Sequence, residues 1–102
     1  MSLIGHIDGV WISKADHLEQ IMIRIAERCG FTIVSQAFHQ FAPHGASGVL
    51  ILDKSHFSAH TYPEQNRVYI DVFCCNLPDF CSYVIEEEFA ALNGTWKIIS
   101  RC

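Results

Sequence analysis

The sequence predicts an α+β two-layer sandwich, in which one antiparallel β-sheet carries two helices on one face in the order β-α-β-β-β-α-β. An apolar stripe at spacings of three and four marks an amphipathic helix early in the chain. Several short β-prone runs separated by brief turns follow it, and strands joined by short turns pair antiparallel. Because the helices cover one face only, we expect a second copy of the chain to cover the other, sheet against sheet.

The first strand and the first helix occupy the first 30 residues. Residues 4–12 alternate enough for a strand, although two glycines weaken it. Ser13 is the predicted N-cap, with Asp16 at the capping-box position, and Gly30 is expected to end the helix. The apolar stripe consists of Leu18, Ile21, Met22, Ile25, Ala26 and Cys29.

The middle of the chain is rich in strand-forming residues. Residues 31–41 are a long β-prone run, and residues 42–45 form a loop. Strands are predicted at residues 47–52, 56–62 and 67–74, with turns at 53–55 and 63–66.

A second helix and a last strand complete the pattern. Pro78 suits the first turn of that helix, and Asn93-Gly94 ends it before a strand over residues 95–100. The apolar positions of this helix are Cys81, Val84, Ile85, Phe89 and Leu92.

Composition excludes several classes of protein. The 102 residues, half of them hydrophobic, indicate one globular domain spanning 1–102. With a net charge of −4 and scattered Lys and Arg, a nucleic-acid surface is not expected. No apolar run is long enough for a membrane span, and no signal peptide is visible, so we expect a cytoplasmic protein. The five cysteines include no CxxC pair and are expected to be free thiols.

Side-chain alternation assigns the residues of the strand at 56–62 to two faces. His56, Ser58, His60 and Tyr62 point one way, whereas Phe57, Ala59 and Thr61 point the other. The row containing His60 is too polar to pack against helices. We therefore expect it to form a site on the open or dimer-facing side of the sheet.

Three side chains on or beside these strands have chemistry that self-cleavage of the chain would need, and a fourth could act as a proton donor, although each alone is more often structural. The Ser55 hydroxyl could attack the carbonyl carbon of Lys54 if that peptide is strained, which leads through an ester and β-elimination to a pyruvoyl group. His60 could move the protons, because imidazole exchanges protons near neutral pH. Ser47 could hydrogen-bond the developing oxyanion, and the Cys75 thiol could donate a proton.

Metal binding is the competing chemistry. Four histidines could converge, but no carboxylate or cysteine completes a recognisable ligand spacing, so no metal site is predicted. A Ser-His-acid hydrolase is disfavoured because the chain has no G-x-S-x-G elbow. The histidines in question are His39, His44, His56 and His60.

The order of short motifs resembles the bacterial S-adenosylmethionine decarboxylases, which make their own pyruvoyl cofactor. The motifs of that family are Phe-x-Pro-x-Gly-x-Ser-Gly, Glu-Ser-His, His-Thr-Trp-Pro-Glu and Asp-x-Phe-x-Cys-Gly. The corresponding segments of this chain are Phe41-Ala42-Pro43-His44-Gly45-Ala46-Ser47-Gly48, Lys54-Ser55-His56, His60-Thr61-Tyr62-Pro63-Glu64 and Asp71-Val72-Phe73-Cys74-Cys75-Asn76. The resemblance covers nearly the whole chain, with Lys54, Tyr62 and Asn76 as departures.

This resemblance implies a role for each matching residue in processing. Ser55 would be the precursor of the pyruvoyl cofactor, and autocatalytic cleavage between Lys54 and Ser55 would convert the proenzyme into two chains. Ser47 and His60 would assist that cleavage, and Cys75 would be the proton donor in decarboxylation.

It also implies the substrate and the assembly. Phe41 would stack on the adenine of S-adenosylmethionine and Glu64 would bind its ribose hydroxyls, with Tyr62 beside them. The pyruvoyl carbonyl would serve as the electron sink for loss of carbon dioxide, giving the aminopropyl donor for spermidine. Members of the family work as homodimers with sites at the interface.

Two other interpretations stay open at the level of sequence. The same scaffold can serve a pyruvoyl-dependent arginine or ornithine decarboxylase, which would not need the adenine and ribose contacts. A non-enzymatic homologue that never cleaves is the other, and Lys54 in place of the family's glutamate favours it.

Overall fold

The computed structural model describes residues 1–101, which form one six-stranded sheet and two helices. The elements are β1 (Ser2–Asp8), α1 (Ala15–Arg28), β2 (Ile33–Gln40), β3 (Ala46–Leu52), β4 (Ser55–Tyr62), β5 (Arg67–Phe73), α2 (Cys81–Ala90) and β6 (Thr95–Arg101). A short 3₁₀ turn, Pro63–Gln65, joins β4 to β5.

All neighbouring strands are antiparallel, in the spatial order β2-β3-β4-β5-β1-β6. The predicted α+β sandwich is confirmed, but the predicted order is one strand short. The β-prone run after α1 is a full strand, β2, because it pairs with β3 along its whole length at the edge of the sheet. The observed order is therefore β-α-β-β-β-β-α-β.

Both helices pack on one face of the sheet, as predicted. The buried residues of each central strand alternate with exposed or half-buried ones, and the buried set meets the apolar stripe of α1 in a single core. On β4, Phe57 and Ala59 are fully buried against the helices, whereas His60 and Tyr62 are exposed on the opposite side. We call that opposite side the open face.

The capping at the N-terminus of α1 differs from the prediction. Lys14, not Ser13, is the N-cap, and it makes no side-chain capping bond. The Gln40 side chain caps the helix instead, because its Oε1 accepts the Ala15 backbone N–H at 2.6 Å. Asp16 lies in the first turn without closing a capping box.

The C-terminus of α1 follows the prediction. Gly30 adopts φ +79° and donates to the carbonyl of Glu27, while Phe31 donates to that of Ala26. This is the Schellman arrangement, which glycine favours because a left-handed residue is needed after the helix.

Two other observed boundaries differ from the predicted ones. The first strand ends at Asp8 rather than at residue 12, because Gly9 turns with φ +84° and donates to the Asn66 carbonyl. The second helix begins at Cys81, so Pro78 lies in the turn before it, where its carbonyl accepts the Cys81 N–H.

Candidate active site

A serine and a histidine form a hydrogen-bonded pair on the open face. Ser47 on β3 lies directly opposite His60 on β4, and Ser47 Oγ is 2.7 Å from His60 Nδ1. The register of the two strands places the pair, since facing residues of antiparallel strands project to the same side. His60 is therefore oriented through Nδ1, which leaves its other ring nitrogen for a reacting group.

A cleft of about 320 Å³ opens beside this pair. Phe41, Tyr62 and Glu64 line it together with Ser47 and His60. Phe41 and Tyr62 are 47% and 41% exposed, so both rings are available for stacking. We call the set Phe41, Ser47, His60, Tyr62 and Glu64 the His60 half-site.

The loop that leads into β3 supplies part of this cleft. Gly45 adopts φ +106°, and its carbonyl accepts the Phe41 N–H at 2.8 Å, which closes the loop. His44 also lines the cleft, with Nδ1 3.8 Å from the Glu64 carboxylate and its ring 5.1 Å from that of Trp11. Sequence reasoning did not place His44 beside Glu64, because the two residues lie on separate loops.

The other predicted residues lie at the opposite end of β4. Lys54 sits in the tight turn between β3 and β4 with φ +62°, a left-handed conformation that costs a non-glycine residue roughly 1 kcal/mol. Ser55 follows it, and its Oγ donates to the Asp53 carbonyl at 3.4 Å. The left-handed Lys54 thus carries the carbonyl carbon that self-cleavage would attack.

Ser55 opens into a separate pocket of about 260 Å³. Cys74 and Asn76 line this pocket, and Cys75 lies exposed in the turn between them. They come close because Phe73, the last residue of β5, pairs with His56 next to Ser55. We call the set Lys54, Ser55, Cys74, Cys75 and Asn76 the Ser55 half-site.

One more thiol belongs to the wall of the Ser55 pocket. Cys29 lines it from the C-terminus of α1. A hydrogen bond with Cys81 lowers the pKa of this buried thiol, against the effect of burial itself.

The two half-sites do not meet within one chain. Ser55 and His60 are five residues apart on β4, which corresponds to about 17 Å along a strand. They also point to opposite sides of the sheet, because an odd spacing reverses the side-chain direction. A single copy therefore holds every predicted site residue but brings no histidine to the serine that is expected to react.

A charged cluster lies on the open face next to Tyr62. Asp8 accepts hydrogen bonds from Arg67 at 2.6 Å, lies 3.3 Å from Lys97 and is 3.0 Å from His6. Burial raises the pKa of Asp8, but these positive neighbours outweigh it and lower the pKa below its usual value. The cluster carries an excess of basic groups at one end of the open face.

Residues 1–101 contain no group of three or more His, Cys, Asp or Glu side chains arranged to hold a metal ion. His39 packs edge-on against Phe41, and His56 stacks on Phe73, so these histidines contact aromatic rings rather than one another. Neither helix within that range is long and apolar enough to cross a membrane.

Comparison with known proteins gives consistent matches over most of the chain. A family model described as S-adenosylmethionine decarboxylase matches residues 3–102. The S-adenosylmethionine decarboxylase proenzyme of Clostridium kluyveri is 40% identical over 98 residues, covering 92% of this chain and 77% of that protein. The proenzyme of Symbiobacterium thermophilum is 47% identical over 77 residues, covering 76% of this chain and 58% of that protein.

A solved structure agrees with the fold. The crystal structure of the adenosylmethionine decarboxylase from Aquifex aeolicus superposes with a TM-score of 0.81 at 25% identity, covering 98% of this chain and 88% of that chain.

Proposed function

Because the chain belongs to the S-adenosylmethionine decarboxylase family, we propose that it is a proenzyme that cleaves itself at Lys54-Ser55 and then decarboxylates S-adenosylmethionine. The observation that carries the proposal is the left-handed Lys54 immediately before Ser55, at the position where the family's motif places the reacting serine. The product would be the aminopropyl donor for spermidine.

Self-cleavage begins with the Ser55 hydroxyl. Its oxygen attacks the Lys54 carbonyl carbon, and the peptide bond is exchanged for an ester as the Ser55 nitrogen takes up a proton. Removal of the Ser55 α-proton then breaks the bond between Cβ and Oγ, which frees the Lys54 carboxylate and leaves a dehydroalanine. Water hydrolyses that residue to a pyruvoyl group and releases ammonia, so residues 1–54 and 55–102 become separate chains.

The residues of the His60 half-site suit the proton transfers of this sequence. His60 accepts and returns protons, because imidazole exchanges them near neutral pH, and the 2.7 Å bond to Ser47 keeps its ring oriented. In the dimer proposed below, the Ser47 hydroxyl would donate to the oxyanion that forms during the attack.

The pyruvoyl group supplies a carbonyl that withdraws electrons as carbon dioxide leaves. The chain's own residues then bind and orient the substrate. The exposed ring of Phe41 stacks on adenine, the Glu64 carboxylate accepts hydrogen bonds from the ribose hydroxyls, and Tyr62 closes the same cleft. Cys75, exposed beside the Ser55 pocket, returns a proton to the carbon that lost the carboxylate.

We also propose that the active form is a homodimer whose open faces pack together. A two-fold axis perpendicular to the strands brings the Ser55 end of one β4 against the His60 end of the other. The half-sites that are about 17 Å apart in one chain would then lie at the same end of the dimer. Because the Ser55 side chain points to the helix face, joining the two half-sites also requires the turn at Lys54-Ser55 to rotate Ser55 toward the open face. Exposed apolar residues on the open face, Ile4, Ile51 and Phe73 among them, would be covered by the same contact.

A cytoplasmic location stays a prediction.

The test is the intact mass of the purified protein after long incubation at neutral pH. We expect fragments that divide between Lys54 and Ser55, the second carrying a pyruvoyl group, and release of carbon dioxide from S-adenosylmethionine. Ser55→Ala is expected to abolish both cleavage and turnover without changing the circular dichroism of the fold. An uncut and inactive wild-type chain would favour the non-enzymatic homologue instead, and turnover of arginine or ornithine would change the substrate.

A further inference from the structure

The Gln40 side chain makes the densest set of hydrogen bonds near the His60 half-site. Its Nε2 shares two N–H groups among the backbone carbonyls of Ser13 at 2.8 Å, Gly45 at 2.9 Å and Phe41 at 3.1 Å. Its Oε1 accepts the N–H of Ala15 at 2.6 Å. One amide at the end of β2 therefore connects the start of α1 with both ends of the loop at residues 41–45.

The oxygen and the NH₂ group of the Gln40 amide bind different elements. The oxygen satisfies a backbone N–H in the first turn of α1, which has no partner within the helix. The NH₂ group serves carbonyls, two of which belong to the loop that carries Phe41 and His44. The backbone closes the same link, since Gly45 donates to the Ser13 carbonyl at 3.0 Å.

The Phe41 side chain depends on the hydrogen bonds of Gln40 to its loop, because the ring itself has little packing. Its side chain is 47% exposed and contacts the ring of His39 edge-on at 4.6 Å between centroids. A ring that must stack on a nucleobase binds well only if its orientation is fixed before the ligand arrives. The position of the Phe41 ring is therefore set largely by the backbone that Gln40 holds.

We infer that Gln40 is a positioning residue for the nucleoside part of the substrate, and that its NH₂ group, not its oxygen, carries this role. The inference rests on the proposed function, because it assumes that Phe41 stacks on adenine. It makes Gln40 a determinant of substrate affinity although Gln40 itself does not line the cleft.

The chain offers a matched control on the same strand. Gln36 projects from β2 to the same side and donates to the Glu19 carboxylate on α1. It joins the same two elements as Gln40 but makes no contact with the loop. Replacing it tests whether any loss is only a general loosening of β2 against α1.

Four variants separate the roles: Gln40→Met, Gln40→Lys, Gln40→Glu and Gln36→Met. Lysine keeps donors for the carbonyls and loses the acceptor, whereas glutamate keeps the acceptor and loses the donors. We would measure KM and kcat for S-adenosylmethionine, the Kd of 5′-methylthioadenosine by calorimetry, and Tm. The nucleoside probe has no amino group, so its Kd does not depend on the pyruvoyl chemistry.

Gln40→Met and Gln40→Glu are expected to raise KM and the probe's Kd about fivefold, as loss of one or two net hydrogen bonds would, with kcat within about twofold of wild type. Gln40→Lys and Gln36→Met should keep both affinities within about twofold, while Gln40→Lys lowers Tm. Unchanged affinity in Gln40→Met, or affinity that follows Tm across the variants, would overturn the inference. A wild type that binds the nucleoside but releases no carbon dioxide would contradict the proposed function alone, and one that does not bind it would overturn both.

Discussion

At the scale of single residues, the chemistry of the candidate site depends on the pairing of Ser47 with His60. The 2.7 Å contact involves Nδ1, so it fixes both the ring orientation and the nitrogen that remains for proton transfer. Neither residue has this property by itself, since the function of each depends on the register of β3 and β4.

Ser47→Ala removes this contact and should slow cleavage at Ser55 at least about tenfold, because the oxyanion loses a donor and His60 loses its orientation. The measurement is the time course of the uncut chain by mass spectrometry. Ser58→Ala is the matched control, since Ser58 lies on the same face of β4 two residues from His60. Equal rates in the two variants would remove Ser47 from processing.

The sequence could name the candidate residues of the site, and their roles stay predictions. The motif around Lys54-Ser55 identified the peptide that would be attacked, and Lys54 has φ +62° at that position. The sequence could not show that Gln40 reaches α1 and the loop, because its four partners are fixed only once β2 packs beside α1. A glutamine at a strand end has no distinctive pattern.

At the scale of elements, the two helices are joined by ion pairs that cross their solvent side. The Glu88 carboxylate on α2 forms ion pairs with the guanidinium groups of Arg24 and Arg28 on α1, each at 2.9 Å. Burial raises the pKa of Glu88, but the two guanidinium groups outweigh it, so the pKa lies below its ordinary value of 4.5. A lowered carboxyl pKa stabilises the fold above pH 4.5, and this contribution is lost as pH falls through the lowered value.

Glu88→Gln should therefore reduce the free energy of unfolding at pH 7 by about 1 kcal/mol, and the difference from wild type should shrink below pH 4. Urea unfolding at pH 7 and at pH 3 measures both values. Glu87→Gln is the control, since Glu87 also contacts Arg28 but its side chain is 65% exposed, and its loss should cost less than about 0.5 kcal/mol. A difference for Glu88→Gln that persists unchanged at pH 3 would contradict the assignment of its pKa.

Hydrophobic periodicity predicted the existence of the elements better than their ends. The stripe of α1 is buried as expected, from Leu18 to Ala26. The prediction of Ser13 as the N-cap was wrong. The local capping preference of serine was overridden by a hydrogen bond from the Gln40 side chain, 27 positions away, to the Ser13 carbonyl. Strand β2 was visible as a β-prone run, but its membership in the sheet depends on a partner strand, which periodicity does not identify.

At the scale of the whole molecule, strand geometry separates the residues that the sequence had grouped into one site. Ser55 and His60 are close in sequence, yet an extended strand places them about 17 Å apart and on opposite sides of the sheet. The separation follows from β4 being a strand, so it was predictable once that element was accepted. What pairs with each half-site was not predictable from one chain, because it depends on how two copies pack.

If the site forms between copies, two inactive variants should complement each other. Ser55→Ala lacks the nucleophile but keeps the His60 half-site, whereas His60→Asn keeps Ser55 and lacks the histidine. In a mixed dimer, one of the two sites joins Ser55 of the His60→Asn chain with His60 of its partner, while the other site lacks both groups. Neither variant alone should cleave.

Coexpression of the two variants with different affinity tags tests this arrangement. Random pairing should give cleavage of about half of the His60→Asn chains and none of the Ser55→Ala chains. Ser55→Ala coexpressed with a chain that carries both substitutions is the control, because no site in that mixture contains a reacting serine. Absence of cleavage in mixed dimers, recovered through both tags, would mean that Ser55 and His60 do not combine across the interface. Cleavage of the His60→Asn chain expressed alone would instead mean that processing does not require His60.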